Sequence, residues 1–233
     1  GFNTSASGDY SHAEGYSTIA SGQASHTEGQ YTTASANYSH AEGEHTSASG
    51  PHSHTEGTLT LATGQSTHAE GYNTTASGEY SHAEGHSTQT VGFYSHAEGY
   101  LTEASGLYSH AEGKQTIAYG TASHASGFNT TASGDYSFAT GEGTMASGSY
   151  QTVVGRYNII DNNALFIVGN GTNFSGNKET SFKVTENNAI AIPVTQSGTP
   201  LWTGTQGEMV FGSDGVQDVI WVYLGTWKSA SLA

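Results

Sequence analysis

The sequence has no cysteine, and its 233 residues include only three prolines and five lysines and arginines together. Without cysteine the chain has neither a disulfide framework nor a thiolate metal site. The five basic residues stand against 20 acidic ones, which gives a formal net charge of −15 at pH 7. Phosphate backbones and anionic lipid would repel such a chain, so we expect neither nucleic-acid binding nor membrane-surface binding. No segment approaches the roughly 20 apolar residues of a membrane helix, so we expect no membrane insertion. The sequence starts without Met or a signal-peptide pattern, and we expect a processed or cut N-terminus.

Glycine, by contrast, is abundant and strictly spaced. It recurs every seven residues from Gly1 to Gly155, with Ala36 as the single exception. Two kinds of seven-residue unit alternate, so the full period is 14. One kind reads Tyr10-Ser11-His12-Ala13-Glu14-Gly15, and the other reads Asn73-Thr74-Thr75-Ala76-Ser77-Gly78. A fixed period without insertions is the signature of a repeat architecture.

The residue types of the repeat favour a β-solenoid over other periodic folds. A coiled coil needs large apolar residues in each heptad, and collagen needs glycine at every third position. Disorder does not predict eleven copies in phase. We expect each half-repeat to form a strand of about five residues, followed by a tight turn in which glycine supplies a positive φ. Two strands make one coil, and eleven coils stacked in parallel at ~4.8 Å form a rod of about 50 Å.

Alternation within each strand predicts which side chains face inward. Ser or Thr, Ala and Gly form the inward set in both halves of the coil. The outward positions of the second half vary, as in Ser5, Ile19 and Gln89. The outward positions of the first half barely vary. They are His12, His26, His40, His54, His68, His82, His96, His110 and His124, with Glu14, Glu28, Glu42, Glu56, Glu70, Glu84, Glu98 and Glu112.

This repeated His/Glu face predicts an interface between copies of the chain. A buried alanine methyl stabilises the interior by only a few tenths to about 1 kcal/mol, so each coil needs something else to pack against. We predict that histidines of one chain donate to glutamates of another, with Phe138 extending the interface where the pattern drifts. A solvated face is one alternative, and a metal site is another, because histidine and glutamate are both metal ligands. A motif spread over many coils argues against a discrete site, so we expect no metal and no other cofactor.

The same pattern bears on catalysis and on receptor binding. Ser11 and His12 are adjacent in a strand and point to opposite faces, so they do not form a catalytic pair, and we expect no enzyme activity. Tyrosines recur one position before the serine slot, which predicts stacking along a corner of the solenoid or, alternatively, contact with carbohydrate. Trp202, Trp221, Tyr223 and Trp227 are candidate receptor-binding residues through their aromatic faces, or alternatively the core of a trimeric tip.

Thr18-Ile19-Ala20-Ser21-Gly22 and Ser11-His12-Ala13-Glu14-Gly15 resemble the head repeat of YadA-type trimeric autotransporter adhesins. The resemblance covers residues 1–155 and implies a left-handed parallel β-roll with three chains side by side. Residues 156–199 resemble the β connector that follows such repeats in phage tail-fibre proteins, and residues 200–233 resemble a small C-terminal β tip.

These patterns together predict an all-β homotrimer that serves as a phage tail fibre or a similar receptor-binding part. Such a protein belongs to the virion tail and attaches to a glycan or protein of the host-cell surface. The first alternative is the head of a bacterial trimeric adhesin, located on the bacterial surface. The second alternative is an appendage that degrades surface polysaccharide.

Overall fold

The 14-residue period folds as a parallel β-solenoid of about twelve coils. The computed structural model describes residues 1–172 and 178–186, and the backbone of residues 190–191, 196–197, 209–213, 218–223 and 227–231. Within these residues every regular element is a strand. None of the described residues forms a helix with the length and apolar character to cross a membrane.

Each coil contributes one strand to each of two parallel sheets, and strands are numbered in chain order. The first sheet has eleven strands of two residues each: β1 Ser5–Ala6, β3 Ile19–Ala20, β5 Thr33–Ala34, β7 Ser47–Ala48, β9 Leu61–Ala62, β11 Thr75–Ala76, β13 Gln89–Thr90, β15 Glu103–Ala104, β17 Ile117–Ala118, β19 Thr131–Ala132 and β21 Met145–Ala146. The second sheet has fourteen strands. They are β2 His12–Ala13, β4 His26–Thr27, β6 His40–Ala41, β8 His54–Thr58, β10 His68–Tyr72, β12 His82–His86, β14 His96–Tyr100, β16 His110–Lys114, β18 His124–Phe128, β20 Phe138–Glu142, β22 Thr152–Arg156, β23 Ala164–Asn170, β24 Thr180–Thr185 and β25 Ile190–Ala191.

Neighbouring coils pair in register, 14 residues apart. In the second sheet His68 lies opposite His82, and Glu70 lies opposite Glu84. In the first sheet Thr75 lies opposite Gln89. Identical side chains of the repeat therefore stack directly on one another along the rod. This register is what turns a sequence repeat into continuous rows of side chains.

The expectation of five-residue strands in both halves is correct only for part of one sheet. From β8 onward the second sheet has mostly five-residue strands, whereas β1 and its equivalents have two. The strands of the first sheet are short because the residues at both of their ends form the corners of the coil. At one corner Ser11 donates its backbone N–H to the Gly8 carbonyl, and at the other Ser17 has a positive φ.

The interior is made of small side chains, as predicted. The alanine rows are fully buried, as at Ala69, Ala83 and Ala97, and the serines and threonines before them are also buried. Serine hydroxyls at one corner donate to the carbonyl three residues earlier, such as Ser25 to Gly22 at 2.7 Å. The predicted inward set is wrong for one glycine class, because Gly15 and its equivalents lie exposed at the corner.

The prediction that glycine supplies the positive φ holds at one corner only. Gly71 and its equivalents have φ near +100°, whereas Gly78 and its equivalents lie outside the left-handed region. At that second corner the positive φ falls two residues later, as at Tyr80 with φ 59°. Glycine is still required there, because a Cβ at Gly78 would collide with the carbonyl of Gly92 in the next coil. Close approach of coils, rather than backbone conformation, selects glycine at this corner.

Two larger polar residues close the end of the first sheet. Asn158 takes the position of the inward threonine, and its side-chain amide accepts from Met145 N at 2.8 Å and donates to Met145 O at 3.0 Å. Gln151 takes the serine slot, is fully buried, and bonds Ser147 N, Asp161 O and Ala164 O. These amides replace the backbone partners that a further coil would supply to β21.

The second sheet continues beyond the glycine pattern. Its strand β23 pairs in parallel with β22 in the same 14-residue register, and β24 and β25 then add antiparallel strands. A separate four-stranded sheet contains β26 Gln196–Ser197, β27 Met209–Ser213, β28 Asp218–Tyr223 and β29 Trp227–Ser231. The division into a roll over 1–155, a connector over 156–199 and a tip over 200–233 stays a prediction.

Substituting Gly71 with alanine tests the close packing of coils. We expect Gly71→Ala to reduce the free energy of unfolding by about 2–4 kcal/mol, since the residue has a positive φ and its Cβ would collide with the Gly85 carbonyl. Ser133→Ala, at an exposed corner position, is the matched control and should change the free energy of unfolding little. Denaturant unfolding followed by circular dichroism measures both; equal stability of the two variants would contradict the packing described here.

Candidate functional site: the histidine–glutamate face

The outward face of the second sheet has a continuous row of imidazole rings. The rings of His26, His40, His54, His68 and His82 stack face to face with centroids 4.7 Å apart and planes within 8° of parallel. The parallel register of the strands sets this spacing. The row runs from His12 to His124 and ends on Phe138, whose ring is tilted 51° to that of His124. The structure thus brings together all nine histidines that the sequence assigned to this face.

From His26 onward, the histidines of the row lie near a glutamate of the preceding coil of their own chain. The distance from His54 Nε2 to Glu42 Oε1 is 3.4 Å, from His82 Nε2 to Glu70 Oε1 it is 3.8 Å, and from His124 Nε2 to Glu112 Oε1 it is 3.3 Å. The sequence reasoning missed this contact within the chain, although parallel stacking at a fixed period does place His(n+12) beside Glu(n). The pairing of histidine with glutamate of another chain stays a prediction.

The ring nitrogens of this row are shielded from water. The Nε2 atoms of His26 through His110 are buried and have no hydrogen-bond partner among the described residues. Most of their distances to carboxylate oxygens exceed the 2.7–3.2 Å of a good hydrogen bond. Burial, as the largest cause, lowers the pKa of His40, His54, His82 and His110. A lowered pKa keeps these imidazoles neutral at pH 7.

The glutamates form a second row, and they share protons. Hydrogen bonding to Glu28, with burial as the next cause, raises the pKa of Glu42 to about 7. Hydrogen bonds to Glu56 and Glu84 raise the pKa of Glu70 to about 8. The hydrogen bond to Glu84 raises the pKa of Glu98 to about 7. The same bonds lower the pKa of the partners Glu28, Glu56 and Glu84. From Glu28 to Glu98, raised and lowered pKa values therefore alternate along the row, because adjacent carboxylates repel each other.

A groove of about 830 Å³ runs beside the glutamate row. Its wall is made by the carboxyl side chains on one side and by corner glycines on the other. The lining residues are Glu42, Gly43, Glu56, Gly57, Glu70, Gly71, Glu84, Gly85, Glu98, Gly99, Glu112, Gly113 and Gly127. The face is only partly covered, since the side chain of His54 is 35 % exposed and that of Glu42 is 29 % exposed. A half-exposed, uniform face of this kind can contact a partner along its whole length.

Histidine and serine of one strand lie on opposite sides of the sheet. Ser25 is buried and donates to the Gly22 carbonyl, whereas the ring of His26 lies in the outer row. The two side chains therefore do not form a nucleophile and base pair.

The corner tyrosines stack on one another. Tyr80, Tyr94 and Tyr108 have centroids 5.0 and 5.2 Å apart, and Tyr136 stacks on Tyr150 at 5.1 Å. Stacking covers the ring faces that a sugar would use, so the inner rings of this corner offer mainly their edges. A second aromatic row, which the sequence reasoning missed, includes Tyr100 and Phe128 with the Lys114 ammonium over both rings.

Three of the four candidate receptor-binding residues near the C-terminus lie in the four-stranded sheet. Trp202 lies outside the described residues. Trp221 and Tyr223 lie in β28, and Trp227 begins β29, where Tyr223 is paired with Trp227 in an antiparallel register. Only their backbone is described, and their role in binding stays a prediction.

Comparison with known proteins agrees with this geometry. The family model of the YadA head domain repeat matches residues 13–35, 56–81 and 125–150. The three matched segments of the solenoid are YadA-like head repeats. These repeats form a left-handed β-roll. They point to an adhesin-like, structural function of an extracellular or surface-exposed protein. No curated protein matches the chain.

The shared protons of the glutamate row predict an unusual pH dependence. A carboxyl whose pKa rises on folding stabilises the fold below its unfolded pKa and loses that contribution as the pH passes its folded value. The lowered pKa values of the histidines have the opposite effect, so that stability rises with pH, but this effect is confined to pH values below about 6.5. Between about pH 6.5 and 8.5 the protein should therefore become less stable as the pH rises.

Glu70→Gln isolates this effect, because glutamine keeps a donor for Glu56 and Glu84 but does not ionise. We expect its melting temperature at pH 8.5 to exceed that of the unsubstituted protein by about 2–4 °C, allowing for solvent screening, and to match it at pH 5.5. Glu44→Gln removes an exposed carboxylate outside the row and is the control. Calorimetry in the presence of a chelator measures all three; a parallel pH profile for Glu70→Gln and the unsubstituted protein would contradict proton sharing at Glu70.

Proposed function

We propose that the chain forms a homotrimeric rod in a phage tail fibre and that it contributes to attachment to the host cell. The observation that carries the proposal is the uniform face of His12 to His124 and Glu14 to Glu112 above an interior of small side chains. Three solenoids that pack these faces together would bury the imidazole and carboxylate rows. The predicted interface consists of the nine histidines and eight glutamates of the two rows, with Phe138 at its end.

The interior alone gives each coil little stability. Its buried apolar groups are mainly alanine methyls, which bury little area. The hydroxyls of most threonines in this row, such as Thr18, Thr32, Thr74 and Thr88, are buried without a hydrogen-bond partner among the described residues, and unpaired buried hydroxyls are destabilising. Packing against sister chains would supply the missing apolar burial and would give the buried Nε2 atoms further partners.

The segment after the repeats favours a tail fibre. Ala164–Asn170 and Thr180–Thr185 extend the roll by one parallel and one antiparallel strand, in the region whose sequence resembles tail-fibre connectors. The four-stranded sheet that follows is the proposed tip, with Trp202, Trp221, Tyr223 and Trp227 as the proposed contacts to a host-surface glycan or protein.

The head of a bacterial trimeric adhesin is the second candidate, because the matched repeat is named for such a head. The two candidates share the trimeric roll and differ in what surrounds it. A coiled-coil stalk and membrane barrel encoded downstream would favour the adhesin, whereas a particle-anchoring segment encoded upstream would favour the fibre.

The trimer is tested by measuring molar mass. We expect light scattering to give three times the 24.2 kDa of one chain, independent of dilution to low concentration. A folded monomer would contradict the proposal.

Substitution of three histidines tests the location of the interface. Replacing His68, His82 and His96 with aspartate adds charge to the proposed contact, so we expect the trimer to dissociate while a control with Thr75, Gln89 and Thr131 replaced by aspartate on the other sheet stays trimeric. Circular dichroism establishes that each variant retains its strands. An intact trimer in the histidine variant would place the interface elsewhere.

Receptor binding is tested on a glycan array. We expect the intact chain to bind a restricted set of surface glycans and the variant with Trp202, Trp221 and Trp227 changed to alanine to lose them. Retained binding by this variant would move the receptor site away from the proposed tip.

A further inference from the structure

The His/Glu face, which is also the proposed trimer interface, contains a repeated cluster of side chains that can act as metal ligands. Each cluster takes one glutamate from one coil and a histidine and a glutamate from the next. Five such clusters are Glu14–His26–Glu28, Glu28–His40–Glu42, Glu42–His54–Glu56, Glu56–His68–Glu70 and Glu70–His82–Glu84, and two more follow the same definition. Within each cluster the three ligand atoms lie within 4.8 Å of one another.

The sequence pattern alone predicts no metal on this face, but the stacked coils bring the ligand atoms of each cluster together, and we propose that these clusters bind divalent transition-metal ions of the zinc type, each held by one imidazole nitrogen and two carboxylates of a single chain. The sites are formed between consecutive coils, so this inference does not depend on the proposed trimer. A donor set of three protein ligands leaves a coordination position for water or for a further ligand.

The distances fit a metal better than they fit a proton. The Nε2 to carboxylate distances that are no longer than 4.0 Å run from 3.4 Å at His54–Glu42 to 4.0 Å at His68–Glu70, and the other ligand atoms of a cluster lie up to 4.8 Å apart. Tetrahedral zinc with bonds of about 2.0–2.2 Å separates two of its ligand atoms by about 3.4 Å. A hydrogen bond requires about 2.7–3.2 Å, which agrees with the finding that these Nε2 atoms lack a hydrogen-bond partner.

The buried ring nitrogen is the observation that distinguishes these clusters from ordinary surface carboxylates. Each Nε2 is shielded from water and faces carboxylate oxygens, so a neutral ring presents an unpaired buried nitrogen to the cluster. The close spacing of the glutamates also favours cation binding, because a dication between two carboxylates would remove their mutual repulsion. The groove along the row gives ions a path to the clusters.

The donor types select the class of ion. Imidazole nitrogen with carboxylate oxygen suits zinc, copper, nickel and iron, whereas calcium and magnesium prefer oxygen donors alone. Adjacent clusters share a glutamate, and neighbouring ions would be only about one coil, ~4.8 Å, apart. Ions in alternate clusters avoid that repulsion, so the five named clusters hold three ions, in those of His26, His54 and His82.

Glutamate substitutions remove the sites with the least change in shape. Glu28 and Glu56 each belong to two of the named clusters, and Glu84 belongs to one. Changing these three residues to glutamine therefore removes a carboxylate from all five named clusters. The matched control changes Glu44, Glu79 and Glu103 to glutamine, which alters the net charge equally outside the row. Both variants and the unsubstituted full-length chain are first treated with a chelator and exchanged into buffer.

Isothermal titration with zinc chloride is the test, with calcium chloride in a parallel series and cobalt chloride as a spectroscopic probe. We expect at least three zinc ions per chain, a tetrahedral cobalt absorption band, and zinc affinity weakened by more than about tenfold in the row variant but not in the control. Equal binding of zinc and calcium would overturn the proposal, since it would show carboxylates acting without the imidazole. Equal zinc affinity in the row variant and the control, or no zinc binding by the unsubstituted chain, would also overturn it.

A histidine series guards against the glutamate variant failing to fold. Changing His26, His54 and His82 to glutamine should weaken cobalt binding and lower the intensity of the cobalt absorption band. Changing His45, His52 and His86, which stack outside the row, should leave the spectrum unchanged. An identical cobalt spectrum in the two histidine variants would exclude imidazole as a ligand and overturn the proposal.

Discussion

The in-register parallel stacking of coils is the constraint on which the rest of the structure depends. A period of 14 residues without insertion places every side chain on its own equivalent in the next coil. Apolar and aromatic residues gain from this arrangement, because rings stack at about 5 Å along the histidine row and along the tyrosine corner. The same arrangement is unfavourable for carboxylates, because like charges then lie only one coil apart. The alternation of raised and lowered pKa values along the glutamate row is the direct consequence.

The same constraint explains the residues at the corners. Adjacent coils are so close that a Cβ on most of the repeated glycines would meet the backbone of the next coil. At one corner the strained φ falls on tyrosine instead of glycine, as at Tyr94 with φ 56°. A non-glycine residue in this conformation costs roughly 1–2 kcal/mol, and stacking of its ring on two neighbours offsets part of that cost. Ala36 stands in the row where glycine is otherwise required, and its neighbour Gly22 approaches its carbonyl closely.

Much of the fold could be predicted from the sequence, because a strict period with small residues admits few architectures. The inward serine, threonine and alanine rows and the outward histidine and glutamate rows follow from alternation alone. Strand lengths and the φ at each corner could not be predicted, since they depend on how the coil closes in three dimensions. The pairing of His54 with Glu42 of the preceding coil depends on how side chains lean between coils, which a linear pattern does not specify. The sequence shows Gln151 and Asn158 only as departures from the repeated serine and threonine positions. It does not predict that their side chains form the hydrogen bonds that close the end of the first sheet.

Titration of the glutamate carboxyls by carbon-13 nuclear magnetic resonance tests the stacking account most directly. With each signal assigned by its own glutamate-to-glutamine substitution, the account predicts two groups in the metal-free protein. Glu42, Glu70 and Glu98 should titrate near pH 7 to 8, and Glu28, Glu56 and Glu84 should titrate below the ordinary value of 4.5. A single group of carboxyls that all titrate near 4.5 would show that the glutamates do not stand on one another, and would contradict the parallel register from which the histidine row, the groove and the metal clusters are derived.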